Sequence, residues 1–218
     1  MKPILIALSI IILAASSCIT SVQPLVSRNK MITDSRITGV WMQNGTEVTI
    51  DPFTSSKLSR EWEKILNGKV FDDNKESAEA VKKLYVVSYK KDGRDYQYLL
   101  SLTRINENYF GDLYPAEMID HFDPESGFGA DNYFLPGYTI ARLTFMDKTK
   151  LLIEFLDGEL VKKEVLAGNM RLKHEHDALF GTFMITASSA ELQQFMEKYG
   201  TDARFFPPDN SINLKKKG

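Results

Sequence analysis

Cysteine is almost absent from this chain: of 218 residues only Cys18 carries a thiol, and it lies close to the amino terminus. With no second cysteine to pair with, the body of the chain has no disulfide, no thiolate metal cluster and no cysteine nucleophile. Packing alone has to hold the fold. An excess of charge of one sign is missing too, since 27 basic residues face 29 acidic ones, and a nearly neutral balance leaves no electrostatic footprint for nucleic acid. The one basic cluster, Lys215-Lys216-Lys217, reads as a solvated terminal tail. Long hydrophobic runs stop at Ile4 to Ala15, short of the ~20 residues that a spanning helix needs. The familiar catalytic signatures are absent as well: there is no G-x-S-x-G elbow, no phosphate-binding G-x-x-x-x-G-K-[ST] loop and no H-E-x-x-H.

What is present begins at the amino terminus. Lys2 precedes the short apolar run, and Ala15-Ser16-Ser17 supplies the small residues that a signal peptidase requires. The segment Leu13-Ala14-Ala15-Ser16-Ser17-Cys18 resembles a bacterial lipobox. That resemblance implies that residues 1–17 are a lipoprotein signal peptide and that Cys18 receives diacylglycerol and palmitate-type acyl chains. It also implies a lipid-anchored protein of the bacterial cell envelope, expected at the outer membrane. Removing Lys2 with the leader leaves 26 basic residues against 29 acidic ones, a net charge of −3. Residues 18–35 are mostly polar, without a period of 2 or 3.6, and are expected to form a tether of ~20–24 Å root-mean-square reach. Residues 36–218 then suffice for one β-rich domain.

Two dipeptides organise that domain. Asn44-Gly45 suits the positive φ angles of a type I′ turn, which sets Gln43 opposite Thr46 and places Ile37, Gly39, Trp41, Val48 and Ile50 on one face. Asp92-Gly93 repeats the device, with Lys91 opposite Arg94. Tyr85, Val87 and Tyr89 then share a face with Tyr96, Tyr98 and Leu100. The second strand turns at Asn106-Glu107-Asn108 and returns through Tyr109 and Phe110 to Pro115. Further strands are expected at Tyr138–Phe145, Lys150–Leu156, Glu159–Val165, Met170–His176 and Phe180–Thr186. A turn at Asp157-Gly158 would join two of these, although its register mixes Lys162 and Glu164 with the apolar face of Leu151, Ile153 and Phe155.

Helices are expected at about Ser56–Leu66 and Asn74–Lys83, with a C-terminal one opened by the Ser188/Glu191 capping box and ended by Gly200 in the left-handed conformation. The expected fold is therefore mainly β: an antiparallel meander closed as a barrel, or a sandwich, with two inserted helices and a C-terminal helix packed outside. Ser35-Arg36-Ile37-Thr38-Gly39-Val40-Trp41 resembles the opening of a lipocalin-like (calycin-type) domain, in which the tryptophan of Gly-x-Trp closes the barrel floor. A late helix followed by a short strand, here expected at Ala203–Phe206, is similar to the end of that fold. Together with the lipobox, the chain resembles the lipocalin-like envelope lipoproteins of Bacteroidetes-type bacteria. A different antiparallel α+β domain with Trp41 in its core is the alternative.

The resemblance implies a non-enzymatic protein that binds a small hydrophobic ligand or a partner protein, without a cofactor. The candidate lining is the aromatic face of Tyr85, Tyr89, Tyr96 and Tyr98, joined by Phe128, Tyr133 and Phe134 from a long loop, Asp120–Pro136, that could act as a flap. His174 and His176 fall on one face of an expected strand with Met170 and Leu172, and invite a metal-dependent hydrolase as a second reading. A third protein ligand is missing nearby, His121 is distant in sequence, and the acidic loop residues lack calcium-loop spacing, so no metal site is expected. A structural lipoprotein of an envelope complex is the third reading.

Overall fold

The computed structural model describes residues 20–60, 79–91, 93–116, 137–179 and 181–218. Ten strands are found among them, and eight close into an antiparallel barrel in the order β1-β10-β7-β6-β5-β4-β3-β2. The remaining two, β8 (His174–Asp177) and β9 (Thr182–Ile185), form a separate hairpin.

The first hairpin forms as its turn residues dictate. Asn44 and Gly45 adopt φ angles of 48° and 86°, and β1 (Gly39–Gln43) pairs with β2 (Thr46–Pro52) through Gln43–Thr46, Trp41–Val48 and Gly39–Ile50. The right-handed twist of this turn matches that of the strands it joins. β3 (Tyr85–Lys91) and β4 (Arg94–Ile105) keep the expected Lys91–Arg94 register, which sets Tyr89 against Tyr96 and Val87 against Tyr98. Asn106 and Glu107, both at positive φ, turn the chain into β5 (Asn108–Pro115). β6 (Thr139–Asp147) and β7 (Lys150–Phe155) complete the meander.

The closing strand departs from the sequence reading. Ala203–Phe205 is a single 3-10 turn, and the strand comes later, as β10 (Ser211–Lys216), which pairs with β7 on one side and β1 on the other. The basic cluster at 215–217 is therefore no solvated tail. Lys215 and Lys216 stand opposite Met42 and Trp41, the Lys216 ammonium lies 5.2 Å from the centre of the Trp41 ring, and Lys217 pairs with Glu47. The Lys216 stem runs beside Gly39 on its way to the Trp41 ring.

Glu159–Val165, expected as a strand, is part of helix α1 (Gly158–Leu166). Asp157 does not make a hairpin turn; its carboxylate accepts the Leu160 N–H at 3.0 Å and caps the helix. The helical period gathers Val161 and Val165 into the core and sends Lys162 and Lys163 outward, which removes the register conflict. Helix α2 (Ser189–Tyr199) carries the full capping box, Ser188 and Glu191 satisfying each other's backbone N–H. Gly200 ends it in right-handed conformation (φ −64°) rather than the left-handed one expected. Glycine is needed there because a Cβ would stand 2.6 Å from the Phe110 ring. Residues 57–60 and 79–81 are helical, at the ends of the two expected insertions, and 61–78 lie outside the described residues.

Residues 21–34, expected as tether, pack against the barrel from one end to the other. Ser21 bridges to Tyr138 and Ile185, Leu25 and Val26 are fully buried, and their N–H groups donate to the Asp112 carboxylate at 3.1 and 2.7 Å. Farther down, Ile32 donates to the carbonyl of Leu102, pairing the part of β4 that β3 has left free. This segment, α1, α2 and the β8–β9 hairpin bury the outer wall around Phe110 and Ile140. There Arg142 grips Glu154 through two 2.9 Å bonds, donates to the Gly200 carbonyl and lies over the Phe206 ring, tying α2's end to the barrel.

Candidate functional site

Strand alternation sends every second side chain into the barrel, and the two ends of that interior differ. One end is a packed floor. Trp41, Ile37, Leu102 and Leu151 are fully buried there, and the Trp41 indole donates to the Ile37 carbonyl at 2.8 Å. Gly39 of the Gly-x-Trp pair has a φ of 123°, so this turn into β1 requires glycine. Asp34 and Arg36 seal the outside: the guanidinium forks onto the carboxylate and lies 4.2 Å from the Phe145 ring centre. Held by that fork, the Asp34 carboxyl falls to about 2, despite partial burial that opposes ionisation.

Among the described residues the other end is open. A cavity of about 590 Å³ runs inward from it, walled by Val48, Ile50, Leu100, Leu143, Ile153 and Leu214. Among the described residues, polar groups appear toward the mouth, where Asn44, Thr46, Thr139 and Asn210 contribute and Lys91 is the one charged side chain in the wall. The Asn210 amide also donates to the Phe155 carbonyl at 3.2 Å, which fixes the start of β10. Such a site offers a body of apolar contact with orientation set at the rim. Among the described residues no histidine, cysteine or carboxylate lines it.

The tyrosines divide. Tyr89 and Tyr98 line the cavity, with rings 6.2 Å apart and nearly parallel. Tyr96 stacks on Tyr89 at 5.0 Å but is not part of the wall. Tyr85, also expected in the lining, belongs to the core toward the floor. It is buried, and its hydroxyl receives the Asp34 N–H at 2.7 Å and donates to the Asp34 carbonyl at 3.2 Å. Burial raises its phenol pKa. Phe128, Tyr133 and Phe134, like Cys18, lie outside the described residues. The sequence reading missed Leu143, Ile153 and Leu214; the alternation of β6, β7 and β10 was the signal that could have found them.

The histidines sit elsewhere. β8 begins only at His174, so Met170 and Leu172 lie before the strand and bury their side chains against the outer wall. His174 Nδ1 stands 2.8 Å from the Leu172 carbonyl, as a protonated ring nitrogen donating to it, and the ring stacks on Phe183 at 4.9 Å. His176 is exposed beside the same phenylalanine. Among the described residues no three His, Cys, Asp or Glu side chains converge as a metal site would require. A second depression, of about 810 Å³, lies between α1, the stretch after it and α2, with Arg171, Lys173, Glu191 and Lys198 in its lining.

No protein-family model, no curated protein and no solved structure matches the chain. The barrel's own geometry therefore carries the functional argument: an eight-stranded antiparallel meander with one packed and one open end, broadly consistent with the lipocalin-like architecture that Gly39-Val40-Trp41 resembles.

Proposed function

We propose that this protein is a non-enzymatic binding protein of the bacterial envelope, anchored by lipid at Cys18, whose barrel takes up a small, mainly apolar ligand through its open end. The observation that carries the reading is the cavity: about 590 Å³ of space with an aliphatic wall inside a barrel whose floor is fully packed. Volumes of about 300–1,000 Å³ suit single small-molecule ligands. A wall whose one charge among the described residues is Lys91, at the rim, selects an apolar body and leaves any polar end of the ligand near Asn44, Tyr89 and Lys91. The lipobox-like sequence before Cys18 supports the anchor.

The test is a titration of the full chain with N-phenyl-1-naphthylamine, whose fluorescence rises in apolar surroundings. One saturable site is expected. Leu143→Trp, which fills the cavity from β6, should weaken the probe at least about tenfold, equivalent to ~1.4 kcal/mol, while leaving the circular dichroism unchanged. A folded chain that shows no saturable binding, or an undiminished affinity in Leu143→Trp, would overturn the reading.

A further inference from the structure

Closure into a barrel removes the edges of eight strands, whereas the separate β8–β9 hairpin keeps both of its own. The outer edge of β9 is already matched. The amino-terminal segment lies along it in parallel, the Val22 N–H donating to the Ile185 carbonyl at 3.0 Å and the Ile185 N–H to the Thr20 carbonyl at 3.4 Å. Thr20 in turn seats its side chain where a Cβ on Gly137 would stand.

The outer edge of β8 has no such neighbour, and the register shows which of its groups are bare. The Thr186 N–H donates to the Lys173 carbonyl at 3.0 Å, and His174 stands opposite Ile185. In an antiparallel pair the backbone groups alternate in direction, so Lys173, Glu175 and Asp177 turn theirs toward β9 while His174 and His176 turn theirs away. Among the described residues nothing bonds the N–H or C=O of His174 or His176.

This edge opens onto the depression beside α2. The exposed Arg171 and Lys173 line that depression together with the buried Leu172 and with His174, so it meets the chain along its side rather than on one face. Gln194, Phe195 and Lys198 of α2 contribute to the lining, and Met170, Leu172 and Phe195 give it an apolar floor. Bare backbone groups two residues apart beside an apolar floor match one kind of occupant. An extended peptide supplies the complementary backbone groups and, on alternate residues, side chains for the floor. A helix keeps its backbone bonds internal, and a small apolar molecule has none to offer.

We infer that the outer edge of β8 takes an extended segment of another protein as a third strand, seated between β8 and α2 with its apolar side chains on Met170, Leu172 and Phe195. The surface lies outside the barrel, and the inference is independent of the cavity and of the anchor.

The test uses the full chain. Amide exchange in the free chain should find His174 and His176 unprotected and Glu175 protected. Random octapeptides displayed on phage are then selected against the chain, and those recovered are synthesised. Peptides with apolar residues at alternate positions are expected, binding one site. N-methylation of one set of alternate residues should weaken them about tenfold or more, and methylation of the other set should not. His174→Pro removes an edge donor without breaking a bond to β9 and should weaken the same peptides severalfold, while His174→Ala keeps the donor and should not. Gln194→Trp, at an exposed position of α2, should block the groove and leave the edge intact. Edge amides already protected in the monomer, or dimers that His174→Pro dissolves, would give the edge to the chain itself or to a second copy and overturn the inference. A selection that yields no such peptides, or peptides indifferent to N-methylation and to Gln194→Trp, would overturn it as well.

Discussion

Asp112 is the residue whose chemistry is most altered by the fold. Its side chain points out of β5 under the amino-terminal segment, where it is almost fully buried, and burial pushes its pKa up to about 6, against the pull of the Val26 and Leu25 N–H groups and of Ser101. Because the folded value lies above the ordinary 3.8, the folded chain keeps a proton that the unfolded chain releases. The group's contribution is fully present below pH ~4 and is lost as pH rises through ~6, by about 3 kcal/mol in all. Urea midpoints measured from pH 4 to 7 should therefore fall with rising pH in the native chain more steeply than in Asp112→Asn. Identical slopes would show that the carboxylate ionises freely. Trp41 is the matching apolar case: it is 1 % exposed, and Trp41→Ala should cost about 3–5 kcal/mol by denaturant unfolding. A loss of under ~0.5 kcal/mol, the size expected at an exposed site, would contradict its place in the floor.

Legibility varied with how local the deciding interaction was. The hairpin registers could be read because Asn44-Gly45 and Asp92-Gly93 fix the pairing within a few residues and the alternation of Trp41, Val48, Tyr89 and Tyr98 agrees with it. The α2 capping box is equally local. Asp157-Gly158 misled because the same aspartate serves a hairpin turn and a helix cap, and only the 3.6 spacing of Val161 and Val165 decides between them. β10 escaped because Ile212 and Leu214 alone alternate before a run of lysines, and only the pairing of Lys215 and Lys216 with distant strands makes that run part of the barrel. The amino-terminal strap escaped for a different reason: its two N–H donors find their acceptor 86 and 87 residues away, at Asp112, and no local period reports that. Of the cavity, Tyr89 and Tyr98 were legible from their hairpin, whereas Tyr85 shares their face but sits too near the floor to line anything. The strap makes its own prediction. Gly137→Val should displace Thr20, and limited proteolysis should then cut the chain between residues 20 and 34, where the native chain resists; equal resistance would show that the segment is held by other contacts.

At the scale of the molecule, three apolar clusters among the described residues share the work: one inside the barrel, one between its outer wall and the helices, and a small one around Phe53, Leu58 and Val86. That division lets the interior stay open at one end, because the outer wall supplies packing that the cavity forgoes. The anchor is checked at this scale too. Cys18→Ser should abolish metabolic labelling with a palmitate analogue and release the chain from membranes, and labelling that persists would exclude the cysteine as the attachment site. The central claim remains that the barrel holds a ligand. Native mass spectrometry of the full chain purified from its own host tests it most directly. A mass excess of one small molecule per chain, removed by organic extraction and absent from Leu143→Trp, is the result predicted; a folded native chain carrying no such excess, and gaining none when offered the host's lipid extract, would contradict it.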